Sequence, residues 1–290
     1  VGAGFSTVTP PPSSVSNATN IAQTVWSYSP RSLTDIQSVN SAIQNNDPGA
    51  VPSYSDYTYL PVPYYAGQVT IDQLATFVDN AVRNYNLVNV IASLINNNPY
   101  GLWPNNFNAN LLSSNNITPT SASMILSNQN MSSTQAANIF SLMNNVTQAA
   151  NIMSLMSPST SATIFSNSAM SITQAANIIN IISPSTSATI ISNSAMSITQ
   201  AALIFSNSAM SSTQAANIIN IISPSTSATI ISNSAMSITQ AANIINIISP
   251  STSATIISNA NMGITQAALI FSNSAMSITQ AANIMSLMSP

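Results

Sequence analysis

Residues 171–196 read SITQAANIINIISPSTSATIISNSAM, and close variants of this stretch recur down more than half of the chain. Ser171-Ile-Thr-Gln174 places a hydroxyl at a helix cap and an amide three residues later, where each side chain can satisfy an orphan backbone N–H. The spacing therefore predicts a helix from Ser171 that stops at Ser183-Pro184. Proline lacks an N–H and drives the residue before it out of the α region, yet it suits the first position of a new helix, so this dipeptide ends one helix and begins the next. The second helix runs through Thr186, Ala188, Ile190 and Ile191. It gives out at Asn193-Ser194, residues that compete with helical hydrogen bonding. A tight Ser-Pro corner thus alternates with a looser Asn-Ser-Ala-Met corner.

Within the first helix Ile172, Ala175, Ala176, Ile179 and Ile182 fall on one face, with Ile178 and Ile181 widening it, while Thr173, Asn177 and Asn180 line the opposite side. So broad an apolar surface needs neighbours on both flanks, and that requirement predicts a solenoid. Marked by the capping residue, the series is Thr118, Ser132, Asn145, Ser157, Ser171, Ser183, Ser197, Ser211, Ser223, Ser237, Ser249, Gly263, Ser277. These thirteen caps stand twelve residues apart across a Ser-Pro corner and fourteen across a loose one, with one step of thirteen from Ser132 to Asn145. Two loose corners in succession, at Ser197–Ser211 and Gly263–Ser277, predict a slight irregularity of the superhelix.

The expected architecture is all-α: an extended Pro-rich arm over 1–30, a small mainly helical domain over 31–116, and the solenoid over 117–290. The arm holds Thr9-Pro10-Pro11-Pro12, a polyproline-like run. Ser32 caps a helix ended by Asp47-Pro48-Gly49. Between Pro48 and Gly67 come four Pro and five Tyr (Tyr54, Tyr57, Tyr59, Tyr64, Tyr65), which predict a non-helical segment. Its rings are read as a loop pinned on its own domain or as an aromatic contact surface. Thr70-Ile-Asp-Gln73 opens a single long helix to about Asn97, and residues 103–116 form a turn-rich connection.

Seven charged side chains serve 290 residues, and all lie between Arg31 and Arg83. Two Arg without Lys exclude nucleic acid as a partner, because a phosphate backbone needs many cations to neutralise it. A net charge of −3 leaves little repulsion between copies, so self-association is expected. His, Cys, Lys and Glu are all absent from the chain, and no catalytic constellation or cofactor site can be assembled from what remains. Of the five Asp, Asp35 and Asp79 stand four residues from Arg31 and Arg83, the spacing of helix ion pairs. Asp47, Asp56 and Asp72 are the candidates for a hard-cation site, without the ligand spacing of a known loop.

Sequons at Asn17, Asn116, Asn130 and Asn145 are expected by chance in a chain this rich in Asn, Ser and Thr. Polar residues interrupt every apolar run, so no membrane insertion is expected. The chain opens at Val1 without Met, which suggests a secreted chain with its leader removed, extracellular or at a cell surface.

Met156-Ser-Pro-Ser-Thr-Ser-Ala-Thr-Ile-Phe165 and Met170-Ser-Ile-Thr-Gln-Ala-Ala-Asn-Ile-Ile179 resemble the Met-Asp-Pro-x-x-Ala-Ala-x-Ile-Leu units of the N-terminal superhelical domain of MgtE-type magnesium transporters and of flagellar-motor chaperones. That resemblance, over 118–290, implies a coil of single short helices. The acidic positions of those families are Ser, Thr, Asn and Gln here, so fold alone is implied.

The functional expectation is a structural subunit of an extracellular filament, fibre or surface layer. It polymerises with itself head to tail, the end of the repeats (Ile284, Met285, Leu287, Met288) meeting the N-terminal domain of the next copy and its tyrosines. The alternative is a monomeric recognition module that binds a glycan or a surface through the Thr173, Asn177, Asn180 stripe.

Overall fold

The computed structural model describes residues 33–51 and 55–288, with side chains from residue 37 on. The Pro-rich arm, the Arg31–Asp35 pair, Tyr54 and Ser289-Pro290 lie outside the described residues. Among the described residues there are eighteen α-helices, three 3-10 turns and no strand. The chain divides into two compact units, Val1–Met131 and Ser132–Pro290.

The first unit holds α1 (Leu33–Gln44), α2 (Pro61–Tyr65), α3 (Ile71–Tyr85), α4 (Val88–Asn97), α5 (Asn105–Ser113) and α6 (Pro119–Leu126). Thr70 and Gln73 form the expected reciprocal capping box, with Gln73 N–H donating to Thr70 Oγ1 at 3.1 Å and Thr70 N–H to Gln73 Oε1 at 2.9 Å. The single long helix expected from there to Asn97 is instead two. Asn86 takes a left-handed conformation (φ 54°), and Leu87 N–H reaches back to Ala81 C=O at 3.1 Å. Asparagine tolerates that conformation, and the break lets Leu87 and Val88 turn inward and become buried.

The Tyr/Pro-rich segment is also more helical than expected: it forms a 3-10 turn over Asp56–Tyr59 and then α2, with Pro61 at the first helical position. The connection over 103–116 likewise contains a helix, α5.

α6 has the Thr118-Pro119 start of a repeat helix, yet it belongs to the first unit, where it packs on α3 and α4. Asp79 of α3 holds it there by accepting from Thr118 N–H (2.9 Å) and Thr118 hydroxyl (2.7 Å).

The second unit is the stack: α7 (Ser133–Leu142), α8 (Val146–Leu155), α9 (Pro158–Phe165), α10 (Ile172–Ile181), α11 (Pro184–Ile191), α12 (Ile198–Ser206), α13 (Ser212–Ile219), α14 (Pro224–Ile231), α15 (Ile238–Ile247), α16 (Pro250–Ile257), α17 (Ile264–Ser272) and α18 (Ile278–Leu287). With α6, all thirteen caps fall where the 12/14 spacing puts them, and every capping side chain except that of Gly263 accepts from the N–H three residues on. Each helix packs on the second-next one, which makes two rows: α7, α9, α11, α13, α15, α17 and α8, α10, α12, α14, α16, α18. The Ala-Ala pair and the two residues one turn on, such as Ala175, Ala176, Ile178 and Ile179, are sealed between rows. Ile181, expected to widen that face, is instead 47% exposed, and Ile172 is only half-buried.

The paired loose corners turn out to mark a longer period. Residues 145–210 and 211–276 are two copies of one five-helix block, 66 residues long, with steps of twelve, fourteen, twelve, fourteen and fourteen. Five is odd and the rows alternate, so each block exchanges the rows: the Pro-started helices α9 and α11 lie in one row, α14 and α16 in the other.

This packing separates two substitutions of adjacent repeat residues. Ile218→Asn places an amide at a fully buried position and should cost several kcal/mol, roughly 3–5. Pro224→Ala leaves Thr226 N–H on Ser223 Oγ at 3.1 Å and should cost under about 1 kcal/mol. Urea titrations followed by far-UV circular dichroism compare the two; equal small losses would mean that the buried seam lies elsewhere.

Candidate assembly interface

Each loose corner leaves the N–H of its capping residue and the C=O two residues earlier without an intrahelical partner. At five of these corners one side chain from the layer below serves both, and at the Gly263 corner Ser232 accepts from the cap N–H while its hydroxyl faces Met262 Sδ. Ser141 Oγ accepts from Ser171 N–H (2.8 Å), and its single proton is shared between Ala169 C=O (3.0 Å) and Ala137 C=O of its own helix (2.8 Å). Ser166 accepts from Ser197 N–H and donates to Ala195 C=O, and Ser206 accepts from Ser237 N–H and donates to Ala235 C=O. Asn180 and Asn246 use both ends of the amide, accepting from Ser211 N–H (3.0 Å) and Ser277 N–H (2.9 Å) while donating to Ala209 C=O and Ala275 C=O.

Where the corner above is Ser-Pro, the equivalent hydroxyl turns back on its own helix, as Ser154 and Ser192 do onto Ala150 and Ala188 C=O. The repeat glutamines reach down as well. Gln174 Nε2 donates to Met143 C=O (2.7 Å), and Gln214 and Gln280 donate to Ile182 and Ile248 C=O (both 2.8 Å). The Ser171–Gln174 capping box is therefore only half formed, because the layer below already satisfies the cap N–H and the Gln amide has carbonyls to serve.

These bonds use up part of the expected recognition stripe. Thr173 Oγ1 accepts from Asn207 Nδ2 at 3.3 Å, as Thr134, Thr199 and Thr239 do from Asn167, Asn233 and Asn273. Asn180 is committed to its clamp, so two of the three residues are engaged between layers; Thr173 is exposed, and Asn177 and Asn180 are half-buried.

The expected aromatic contact surface is largely the interior of the first unit. Tyr57 and Tyr59 are buried; Tyr57 hydroxyl donates to Pro48 C=O at 2.7 Å, and Tyr59 stacks on Tyr100 at 6.1 Å. Tyr64 and Tyr65 pack on Phe107 at 5.4 and 5.5 Å, with Tyr65 hydroxyl donating to Leu102 C=O. Burial, with Tyr64 beside it, pushes the Tyr65 phenol well above its ordinary range. Phe107 packs edge-on against the buried Trp103, whose indole N–H donates to Thr58 C=O at 3.0 Å, so packing decides where the rings point.

Nor do the candidate cation ligands come together. Asp47 accepts from Gly49 N–H (3.1 Å), Asp72 accepts from Ser114 hydroxyl (2.7 Å), and Asp56 is buried. Among the described residues no three acidic, His or Cys side chains are grouped to hold a metal ion. Asn145 acts as a helix cap, while Asn116 and Asn130 are exposed. Among the described residues no helix is long and apolar enough to cross a membrane.

The repeat-end residues divide. Ile284 is fully buried on its own stack, so it offers nothing to a partner; Met285 and Leu287 are exposed, and Met288 is half-buried. Sequence reasoning missed Ile264 and Ile278, the residues just after the last two caps, which are 88% and 89% exposed. Their counterparts Ile172, Ile198 and Ile238 are half-buried by the next layer, and that position in the repeat is the signal that could have found them. Comparison of the chain with family models, with curated proteins and with solved structures finds no match.

Two tests follow from the clamps and the carboxylates. Asn180→Ala removes both partners of the 209–211 corner and should cost about 1–3 kcal/mol, whereas Asn180→Ser, which copies Ser141 and Ser206, should recover most of the loss in thermal melts.

The second concerns pH. Burial raises the Asp79 carboxyl, but the hydrogen bonds from Ser121, from the Thr118 hydroxyl and N–H, and from Arg83 outweigh it and hold the group below its usual value. Its contribution is present above the unfolded value of about 3.9 and is lost as pH falls through the lower folded one. Every Tyr and Trp lies before residue 104, and residues 132–290 contain no ionisable side chain. The aromatic signal should therefore melt at lower temperature below about pH 4, while the far-UV signal of the stack keeps its midpoint. A parallel fall of both would show that the stack depends on titrating groups elsewhere.

Proposed function

We propose that this protein is a structural subunit that assembles end to end with copies of itself, the α17–α18 layer of one copy receiving the N-terminal unit or first layer of the next. The observation that carries this reading is a comparison of one helix sequence in two settings. TQAANIMSLM occurs at 147–156 inside the stack and at 279–288 in its last layer. Met153 is fully buried in the first setting, whereas its equivalent Met285 is 53% exposed in the second.

The last described layer thus exposes, at Ile264, Ile278 and Met285, the kind of surface that elsewhere in the stack is covered by a further layer. Its hydroxyls are uncommitted to a neighbour as well: Ser272, the counterpart of the clamp Ser206, and Ser286 donate to their own helices at Leu269 and Asn283 C=O. A second copy can supply a layer to cover this face, and the stack carries no charge to oppose it, which suits polymerisation by a heterologous contact that does not close. The recognition reading has less support, since two of the three stripe residues named for it are engaged between layers.

Ile264→Ser with Ile278→Ser tests the proposal. Serine already occupies the same repeat position at Ser133 and Ser212, so the fold should be kept. Sedimentation velocity on the parent chain should show mass growing with concentration. The double variant should shift that growth to roughly tenfold higher concentration or more, since each Ile gives up about 1 kcal/mol of burial. A parent chain that stays monomeric throughout, or a variant that assembles equally well, would reject end-on assembly.

A further inference from the structure

The flanks of the stack carry a second apolar surface, apart from its end. In the repeat helices that precede a Ser-Pro corner, the tenth residue after the cap is always Ile or Leu, and it is exposed in every case: Leu155, Ile181, Ile221, Ile247 and Leu287; Leu142, before the thirteen-residue step to Asn145, is exposed as well. Wherever the corner is loose, that position is Asn, as in Asn167 and Asn193. Six residues after the cap, Asn is the rule in the Gln-Ala-Ala helices, but α12 and α17 substitute Leu203 and Leu269, both exposed. Positions six and ten lie four apart and so share one face of a helix.

On the stack these residues line up. Leu155, Ile181 and Leu203 lie on α8, α10 and α12, successive members of one row. Ile221, two residues past the end of α13, and Ile247 and Leu269 on α15 and α17 belong to successive members of the other. Each trio is the other displaced by 66 residues, and all six side chains are between 36% and 56% exposed. Because a five-helix block exchanges the rows, the same three-rung ladder appears once on each.

We infer that these ladders are lateral docking strips for second copies of this chain, one on each row. The second copy is the occupant the structure itself supplies. It carries the same rungs at the same layer-to-layer interval, so rung meets rung along the whole strip. The rim of Ser, Thr and Asn carries no charge that would select an acidic or basic partner or repel a like surface. Three half-exposed side chains make up only a small part of the roughly 800 Å2 per partner of a stable interface. One strip therefore holds weakly, and strips that repeat along an assembly add up. Two strips per chain allow the contact to continue from copy to copy into a sheet.

The chain has no cysteine, which makes a direct test simple. Ile181→Cys and Ile247→Cys proteins are mixed at high concentration in the Ile264→Ser, Ile278→Ser background, which removes the end contact, and are treated with a short bismaleimide. Thr189→Cys, exposed on the Pro-started helix α11, is the control. The ladder thiols should cross-link between copies roughly tenfold faster than the control. Adding Leu203→Asn and Leu269→Asn, which restore the residue found at Asn177 and Asn243, should slow them toward the control without changing the circular dichroism spectrum. Ladder thiols that react no faster than Thr189→Cys would overturn the lateral strip. Growth of the parent chain by sedimentation is read separately, so failure of the end contact and failure of the strips give different results.

Discussion

One hydrogen-bonding problem governs the stack. Helices of eight to ten residues are too short to be stable alone, and each corner between them exposes orphan N–H and C=O groups. Charged side chains commonly serve such groups in soluble proteins; this stack has none and uses a Ser or Asn from the layer below, which accepts from the cap N–H and donates to the nearby carbonyl. The device binds consecutive layers of a row as well as finishing the corner. A layer removed from its neighbour loses apolar burial and corner satisfaction together, so the stack gains cooperativity from groups that carry no charge.

The same device explains why two corner types can alternate without disturbing the packing. A Ser-Pro corner takes twelve residues and needs no clamp from below, and the hydroxyl that would reach it folds back onto a carbonyl of its own helix, as at Ser154 and Ser192. A loose corner takes fourteen residues, uses an Asn turn such as Asn193 Oδ1 accepting from Ala195 N–H, and receives the clamp. The clamp residue and the corner it meets lie about thirty residues apart in the chain, which ties the order of corner types in one layer to the side chains of another.

Much of the stack was legible in the sequence because its rules are local. All thirteen caps follow from Ser, Thr, Asn or Gly at a fixed distance before Gln or Ala, and the Ser-Pro corners follow from proline geometry. What escaped was decided between layers. Ile181 reads as a seam residue from helical spacing, yet the seam is closed by Ile178 and Ile182 and leaves it outside. Thr173 and Asn180 read as a free polar face, although their partners lie some thirty residues away. In the first unit the errors have the same origin. The places of Tyr57, Tyr59, Tyr64 and Tyr65 depend on Phe77, Tyr100 and Phe107 and on the Trp103 indole bonded to Thr58 C=O, all from other parts of the chain, and no period in the sequence announces that.

The odd number of helices in the 66-residue block has a consequence that an even number would lack. With four or six helices per block, every distinctive position would recur on the same row and the stack would have one sticky flank and one inert one, a geometry that closes on itself as a pair. With five, each block presents on one row what its predecessor presented on the other, so two blocks give both flanks the same Ile-Ile-Leu or Leu-Ile-Leu strip. Under the proposed assembly, equivalent flanks would let the same subunit be met from more than one direction. Near-absence of charge removes the force that would keep such surfaces apart, so the proposed self-association rests on composition and repeat order together.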